Sequence, residues 1–333
     1  MNRRLIPLVL LTAVIGLATG VLTEAAAGTR VDYPQKGRAV TIIVPFPAGG
    51  GADIAARAHA AMLERDLGAP FVITDKPGAG GQVGNTAVAL AKPDGYTLGW
   101  CPPAVLIPGY VNRERQAVYT RKSFQPIAVT ARAPFSVIVR ADSPHKTLKE
   151  LSDAAKAKPG QMKAAVGNLL GGSHLVILTL AKALGVEFAT VHFDGAAPVM
   201  TALLGGHVEL AINQSPEFLP QARAGQVRAL AVLDERGSKF LPDVKTMGAL
   251  GIKLPNQGVM SQYQTAFAPA GTPMEIVEIL GQSLKGSLDI AEMKAKLDSL
   301  FFEPIYMDAA ETAKFWEEME GDTIRIFKEL GKL

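Results

Sequence analysis

The stretch Val44-Pro45-Phe46-Pro47-Ala48-Gly49-Gly50-Gly51-Ala52-Asp53 joins a β-branched run, Val40–Val44, to an alanine-rich segment through a triplet of glycines. The run predicts a strand, and apolar spacing over Ala52–Leu67 predicts a helix that Gly68 stops. At such a helix start the first backbone N–H groups lack intrahelical partners, and glycine lets a ligand approach them closely. The stretch therefore reads as a cradle for a carboxylate or phosphate. It also reads as ordinary α/β punctuation, and the loop alone does not choose between the two.

Working outward, Phe71–Thr74 is a second strand, followed by the turn Asp75-Lys76-Pro77-Gly78 and a second glycine loop, Ala79-Gly80-Gly81. A helix through Ala91 and the turn Pro93-Asp94-Gly95 lead into the strand Tyr96–Gly99, which completes a βαβαβ unit. Such alternation predicts α/β layering with a largely parallel sheet, and a ligand crevice at the carboxyl ends of the strands. The middle of the chain repeats the plan. Strand Met162–Val166, loop 167–172 and helix Leu175–Leu184 with Ser173 as its cap are followed by strand Ala189–Phe193. Next come loop Asp194-Gly195-Ala196-Ala197, helix Pro198–Leu204, where Pro198 suits a first turn, and strand Val208–Ile212. Ile127–Val139 and Val227–Leu233 are extended apolar segments placed to cross between two lobes. From Pro273 to Leu333 the pattern is helical with breaks near Gly286 and at Pro304, and this tail is expected to return to the first lobe.

Arg3 and Arg4 precede an apolar run, Leu5–Leu22, and small residues ending in Ala25-Ala26-Ala27. That is the pattern of a cleaved secretory signal over residues 1–27; a retained anchor is the competing reading, against which Pro7, Gly16 and Gly20 interrupt the run. The 34 Lys and Arg against 31 Asp and Glu leave a net charge of +3, with basic residues scattered and aromatics sparse. This excludes a nucleic-acid module and a basic membrane patch. The single cysteine, Cys101, cannot form an intrachain disulfide, and its setting in Gly99-Trp100-Cys101-Pro102-Pro103 reads as a buried strand end rather than a nucleophile. The five histidines show no zinc-ligand spacing, so no metal or cofactor is expected. Gly78–Gly84 misses G-x-G-x-x-G by one place, and neither a Walker lysine nor G-x-S-x-G occurs. Adjacent Ser173 and His174 read as a cap and a pocket or core histidine, since neighbouring residues rarely point into one site.

These motifs together resemble the periplasmic solute-binding receptors of tripartite tricarboxylate transporters, the Bug receptors. The resemblance rests on Tyr33-Pro34, Val44–Gly50 with Asp53, Lys76–Gly81 and Pro93–Leu98. It continues through Ala157–Gly160, Ser173-His174-Leu175, Leu203–Gly206, Ala224–Val232, Leu241–Val244 and Ala268–Pro273, all in one order. It implies a periplasmic, non-enzymatic, two-lobed Venus-flytrap receptor, monomeric by family expectation, that closes on a small organic carboxylate and presents it to a small and a large membrane permease subunit. Lobe 1 would comprise residues 28–130 and 231–333, and lobe 2 residues 131–230. The ligand would be held by Phe46, Ala48, Gly49, Gly50, Ala52, Asp53, Gly80 and Gly81 on lobe 1. Gly172, Ser173, His174, Asp194, Gly195, Ala196, Ala197 and Asn213 would face them from lobe 2.

The chain departs from this pattern in two places. Gly51 and Ala52 stand where many relatives carry hydroxyl residues, and Asn213 where relatives often carry Asp. Loss of that carboxylate favours a ligand without an ammonium group, and the alternative reading of Asn213 is a loop-capping amide. Tyr263 falls near an aromatic position of the family and reads equally as pocket wall or core. Two other classes fit part of the sequence: a secreted α/β enzyme acting on a carboxylate or phosphate ester, and a ligand sensor for a membrane kinase.

Overall fold

Two parallel three-stranded blocks are joined by antiparallel strands into one mixed sheet, with helices on its faces. This computed structural model describes residues 32–333 apart from 168, 194, 255, 256, 330 and 332; the expected signal sequence and Asp194 lie outside the described residues. The first block forms in the order β2 (Phe71–Asp75), β1 (Val40–Val44), β3 (Thr97–Trp100). Its connections are α1 (Gly51–Leu67) and α2 (Gln82–Ala89). The second block orders β7 (Leu210–Gln214), β5 (Lys163–Val166) and β6 (Ala189–His192), connected by α5 (Gly172–Leu184) and α6 (Ala196–Leu204). The expected strands and helices of both βαβ units are thus present, and Pro198 lies in the first turn of α6.

Between the blocks runs β4 (Phe124–Arg140), 17 residues long and buried almost throughout. At about 3.3 Å per residue it is long enough to serve both blocks. Its first half pairs with β9 (Ser261–Pro269) and β10 (Glu303–Met307), its second with β7 and β8 (Val227–Val232). Pro134, opposite Ser261, is the last residue paired with β9 before Phe135 begins the pairing with β7. A proline cannot donate to a ladder, so it is suited to the point where one set of partners ends and the next begins.

Two expectations need correction, while the expected break at Pro304 is present and filled by a strand. The segment after β3 does not simply end a strand but starts α3 (Pro103–Val111), with Pro102 extended at its cap and Pro103 at its first position, where a missing N–H costs nothing. The tail does not break at Gly286; α8 (Met274–Asp289) runs through it because Leu284, Ser287 and Leu288 are buried there, and an interior glycine costs only about 1 kcal/mol. Beyond α9 (Ala291–Ser299), Pro304 lies within β10, next to a register shift against β4, and α10 (Ala309–Glu329) follows. As expected, the tail packs back near α1 and β4.

One apolar cluster gathers Ile42, Val44, Ala56, Leu63, Leu280 and Phe302 around the first block, and a larger one links Val137, Leu175 and Ile212 with Phe267 and Trp316. At the junction the core is charged. Buried Arg132 pairs with Asp234 at 3.0 Å and Glu303 at 2.5 Å, and Ser261 Oγ donates to Asp234 at 2.5 Å. Burial works against the charge on Asp234, but hydrogen bonds from Arg236 and Ser261 outweigh it and hold the carboxyl below its usual range. Among the described residues, no helix is long and apolar enough to cross a membrane.

Candidate functional site

The loop after β1 is shaped from within. Gly49 takes a φ of +82°, and its N–H donates at 2.7 Å to Asp53 Oδ2, on the first turn of α1. The other oxygen of Asp53 faces Arg57 Nε at 2.7 Å, and Arg57 also pairs with Asp75 at 2.9 Å. Asp53 is buried, so its charge holds the loop and favours the helix N-terminus, while Ala48, Gly49 and Gly50 stay exposed and Phe46 half-buried. Ala52 is buried beside Asp53.

Gly80 is exposed and Gly81 buried, in a 3-10 turn that leads into α2. A Cβ on Gly81 would stand 3.4 Å from Val105 Cγ1 of α3 and 3.6 Å from Pro45 Cβ, so the two glycine loops and the start of α3 adjoin. Gly84 packs closer still: a Cβ there would lie 2.8 Å from the backbone of Pro45.

On the other block, α5 starts at Gly172, whose absent Cβ would lie 3.4 Å from both Ala104 Cβ of α3 and Phe135 Cζ of β4. Ser173 does not cap the helix, since Gly171 is the cap; instead Ser173 Oγ accepts from Gly167 N–H at 2.9 Å, which closes the preceding turn. His174 Nδ1 accepts from Leu170 N–H at 2.9 Å, which places its remaining proton on Nε2. Burial, and to a lesser degree His192 with its ring centroid 4.4 Å away, lower the His174 pKa to about 4. Gly195 (φ +102°) precedes α6 with open space where a Cβ would stand; Gly195 and Ala196 are half-buried and Ala197 exposed.

Asn213 sits at the carboxyl end of β7, opposite Ser136 of β4, so the two side chains share one face. Both residues are buried, as is Ser215 at the start of α7 (Ser215–Arg223). Asn213 Nδ2, Ser136 Oγ and Ser215 Oγ have no hydrogen-bond partner. Buried polar atoms normally find one; Ser136 and Asn213, paired across β4 and β7, and Ser215, just past the carboxyl end of β7, are groups that a ligand or water would complete. Nearby, Glu217 accepts from Gln214 Nε2 at 2.5 Å and Gln214 N–H at 3.2 Å, while burial raises its carboxyl to about 7.

Thus the loops carrying Gly81 and Gly172 meet at α3, while Asp53, Ser173 and His174 are engaged in shaping their own loops. The start of α3 and Ser136 escaped the reading of the sequence, whereas Asn213-Gln214-Ser215 reads in the sequence as a set of neutral donors and acceptors at a strand end. Pro102-Pro103 carried a helix-start signal, whereas Ser136 becomes visible only through its register with Asn213. Cys101 is buried as expected, and its thiol is pushed up to about 12. Tyr263 is buried edge-on to Phe315 and lines a cavity of about 470 Å³ beside α10, with Arg236, Met307 and Met319. The described residues include no group of three or more His, Cys, Asp or Glu able to hold a metal ion.

Residues 55–332 match the family described as tripartite tricarboxylate transporter family receptor. A UPF0065 protein in the gbd 5' region of Cupriavidus necator is 32% identical over 95% of both chains. The solved structure of the periplasmic binding protein BugD is 30% identical, covering 90% of this chain and 99% of its own, with a TM-score of 0.76. R. palustris Rpa4515, solved with adipate, is 28% identical over 90% of this chain and 99% of its own, also with a TM-score of 0.76. The chain therefore belongs to the tripartite tricarboxylate transporter receptor family, which is a family of solute-binding receptors and not a class of enzymes.

Proposed function

We propose that this protein is a periplasmic receptor that captures a small organic carboxylate between the N-terminal ends of α1, α2, α5 and α6 and delivers it to a tripartite membrane transporter. The observation that carries this reading is the set of buried, unpartnered groups on Asn213 and Ser215 at the carboxyl end of β7 and on Ser136, opposite Asn213 in β4. Helix N-termini offer N–H donors and a favourable dipole to an anion without a buried cation. The three polar side chains add neutral donors and acceptors for the rest of the ligand. The adipate bound to Rpa4515 supports the carboxylate class. Asn213 adds no charge for an ammonium group, which supports a non-amino acid.

The two blocks then act as lobes, residues 28–130 with 231–333 and residues 131–230, with β4 and the segment after β8 as their crossovers. Ligand that touches both lobes favours the closed form by its differential affinity, and the permease subunits read that closure. Asp53, Ser173 and His174 hold the loops in shape, while the backbone of residues 46–50, 80–81, 172 and 195–197 faces the ligand.

A thermal-shift screen of residues 28–333 against mono-, di- and tricarboxylates, followed by calorimetry, tests this. Ligand at about 100 times its dissociation constant adds roughly 2.7 kcal/mol of stability. A selective shift supports the receptor. No shift, with no compound released on unfolding and mass analysis, overturns the carboxylate class, and turnover of a bound compound favours an enzyme.

A further inference from the structure

One cation reaches the junction of these loops without a carboxylate of its own. Arg115 ends a 3-10 turn, Arg113–Arg115, that follows α3 and is fixed by Asn112 Oδ1, which accepts Glu114 N–H at 3.0 Å. The Arg115 carbonyl accepts from Gln82 Nε2 at 3.0 Å, which ties the turn to the first residue of α2. From that anchor the guanidinium lies over Gly80: a Cβ on this glycine would stand 3.0 Å from NH1 and 3.4 Å from NH2. Its NH2 also donates to the Leu169 carbonyl, in the turn before α5, at 3.4 Å. The guanidinium thus spans from the loop after β2 to the loop after β5.

A guanidinium carries five N–H donors in a planar fork that matches a carboxylate bidentately. Here it makes one long bond to a neutral carbonyl, and among the described residues no Asp or Glu pairs with it. Arg57, beside the first loop, is by contrast committed to Asp53 and Asp75. The bond to Leu169 is weak enough for an anion to displace, and Gly80 keeps open the space in which the fork lies.

We propose that Arg115 holds the second carboxylate of an α,ω-dicarboxylate whose first carboxylate sits at the helix N-termini, which makes the receptor selective for dicarboxylates over monocarboxylates. This rests on the carboxylate-receptor reading above and adds to it the number of charges on the ligand and the residue that reads the second one.

The test is calorimetric titration of the wild-type protein, Arg115→Gln and Arg115→Lys with straight-chain dicarboxylates of four to eight carbons and with the monocarboxylates of equal length. Melting temperatures measured without ligand confirm that each variant is folded. Wild-type protein should prefer the dicarboxylates. Arg115→Gln should weaken them by about ten- to a hundredfold while leaving any monocarboxylate affinity within about twofold, and Arg115→Lys should restore part of the loss. Equal loss in both series would make Arg115 a strap between loops and overturn the proposal, as would binding indifferent to the substitution or a wild-type preference for monocarboxylates. Wild-type protein that binds neither series overturns the receptor reading itself, and this proposal with it.

Discussion

Two groups of buried polar side chains lie along β4, about four residues apart, and they are solved in opposite ways. Around Arg132 the charges answer one another: Asp234, Glu303 and Ser261 converge there from three other segments of chain. Around Ser136, its own hydroxyl, the amide nitrogen of Asn213 opposite it and the hydroxyl of Ser215 two residues further on are buried without a hydrogen-bond partner. A buried charge without a partner costs several kcal/mol, so the first group must be paired for the chain to fold. A buried neutral hydroxyl or amide costs less, so the second can be left incomplete where function requires it. The contrast separates what holds the junction together from what waits for a ligand.

The sharpest way to break the contrast is Arg132→Ala, which strands Asp234 and Glu303. It should cost about 3–5 kcal/mol in urea unfolding. A loss below about 1 kcal/mol would show that the cluster is solvated and that the comparison fails.

Acid separates the two regions next. Asp234 is held below the usual carboxylate range, so the stability it contributes survives mild acidification and is lost only in stronger acid. His174 has a folded pKa of about 4 against an ordinary 6.5, so its contribution is complete above pH 6.5 and is lost as pH falls toward 4. Between pH 8 and 5 this amounts to about 2 kcal/mol, a loss that His174→Gln should remove from the melting curve. Glu217, raised to about 7 from 4.5, works in the other direction: the folded state takes up its proton first, so it stabilises the protein as pH falls below 7. Glu217→Gln should therefore steepen the acid loss. An unchanged pH dependence in both variants would contradict the burial of these groups.

Asn213→Leu keeps the branching at Cγ and removes the unpartnered amide. Thermal unfolding without ligand should show stability unchanged or raised by about 1 kcal/mol, while carboxylate affinity falls at least about tenfold. A clear loss of stability would make Asn213 a structural amide. The smallest effect is expected from Ser136→Ala, within about 0.5 kcal/mol in stability and a few-fold in affinity by calorimetry.

Much of the frame was legible because its signals are local. Val40–Val44 is a β-branched run that ends in glycines, and Gly68 and Gly185 stop α1 and α5 in the left-handed conformation. What escaped depends on contacts distant in sequence. Ile127–Val139 looked extended, but that β4 passes from one set of partners to another at Pro134 is a matter of pairing. Glu303–Met307 becomes a strand because β4 offers it an edge, which a local pattern containing Pro304 conceals. The glycine loops were readable for the same reason as the frame. The Ser136–Asn213 pairing and the reach of Arg115 to Leu169 were not, since each joins residues more than 50 positions apart.

The most direct test of the central claim places a negative charge where the ligand's carboxylate is expected. Ala196 is the first residue of α6 and half-buried, and Asp suits a helix N-terminus, so Ala196→Asp should fold with an unchanged or slightly higher melting temperature. Calorimetry against the carboxylate that binds wild-type protein best should then show no heat of binding. Affinity within about twofold of wild type in this variant would contradict the account.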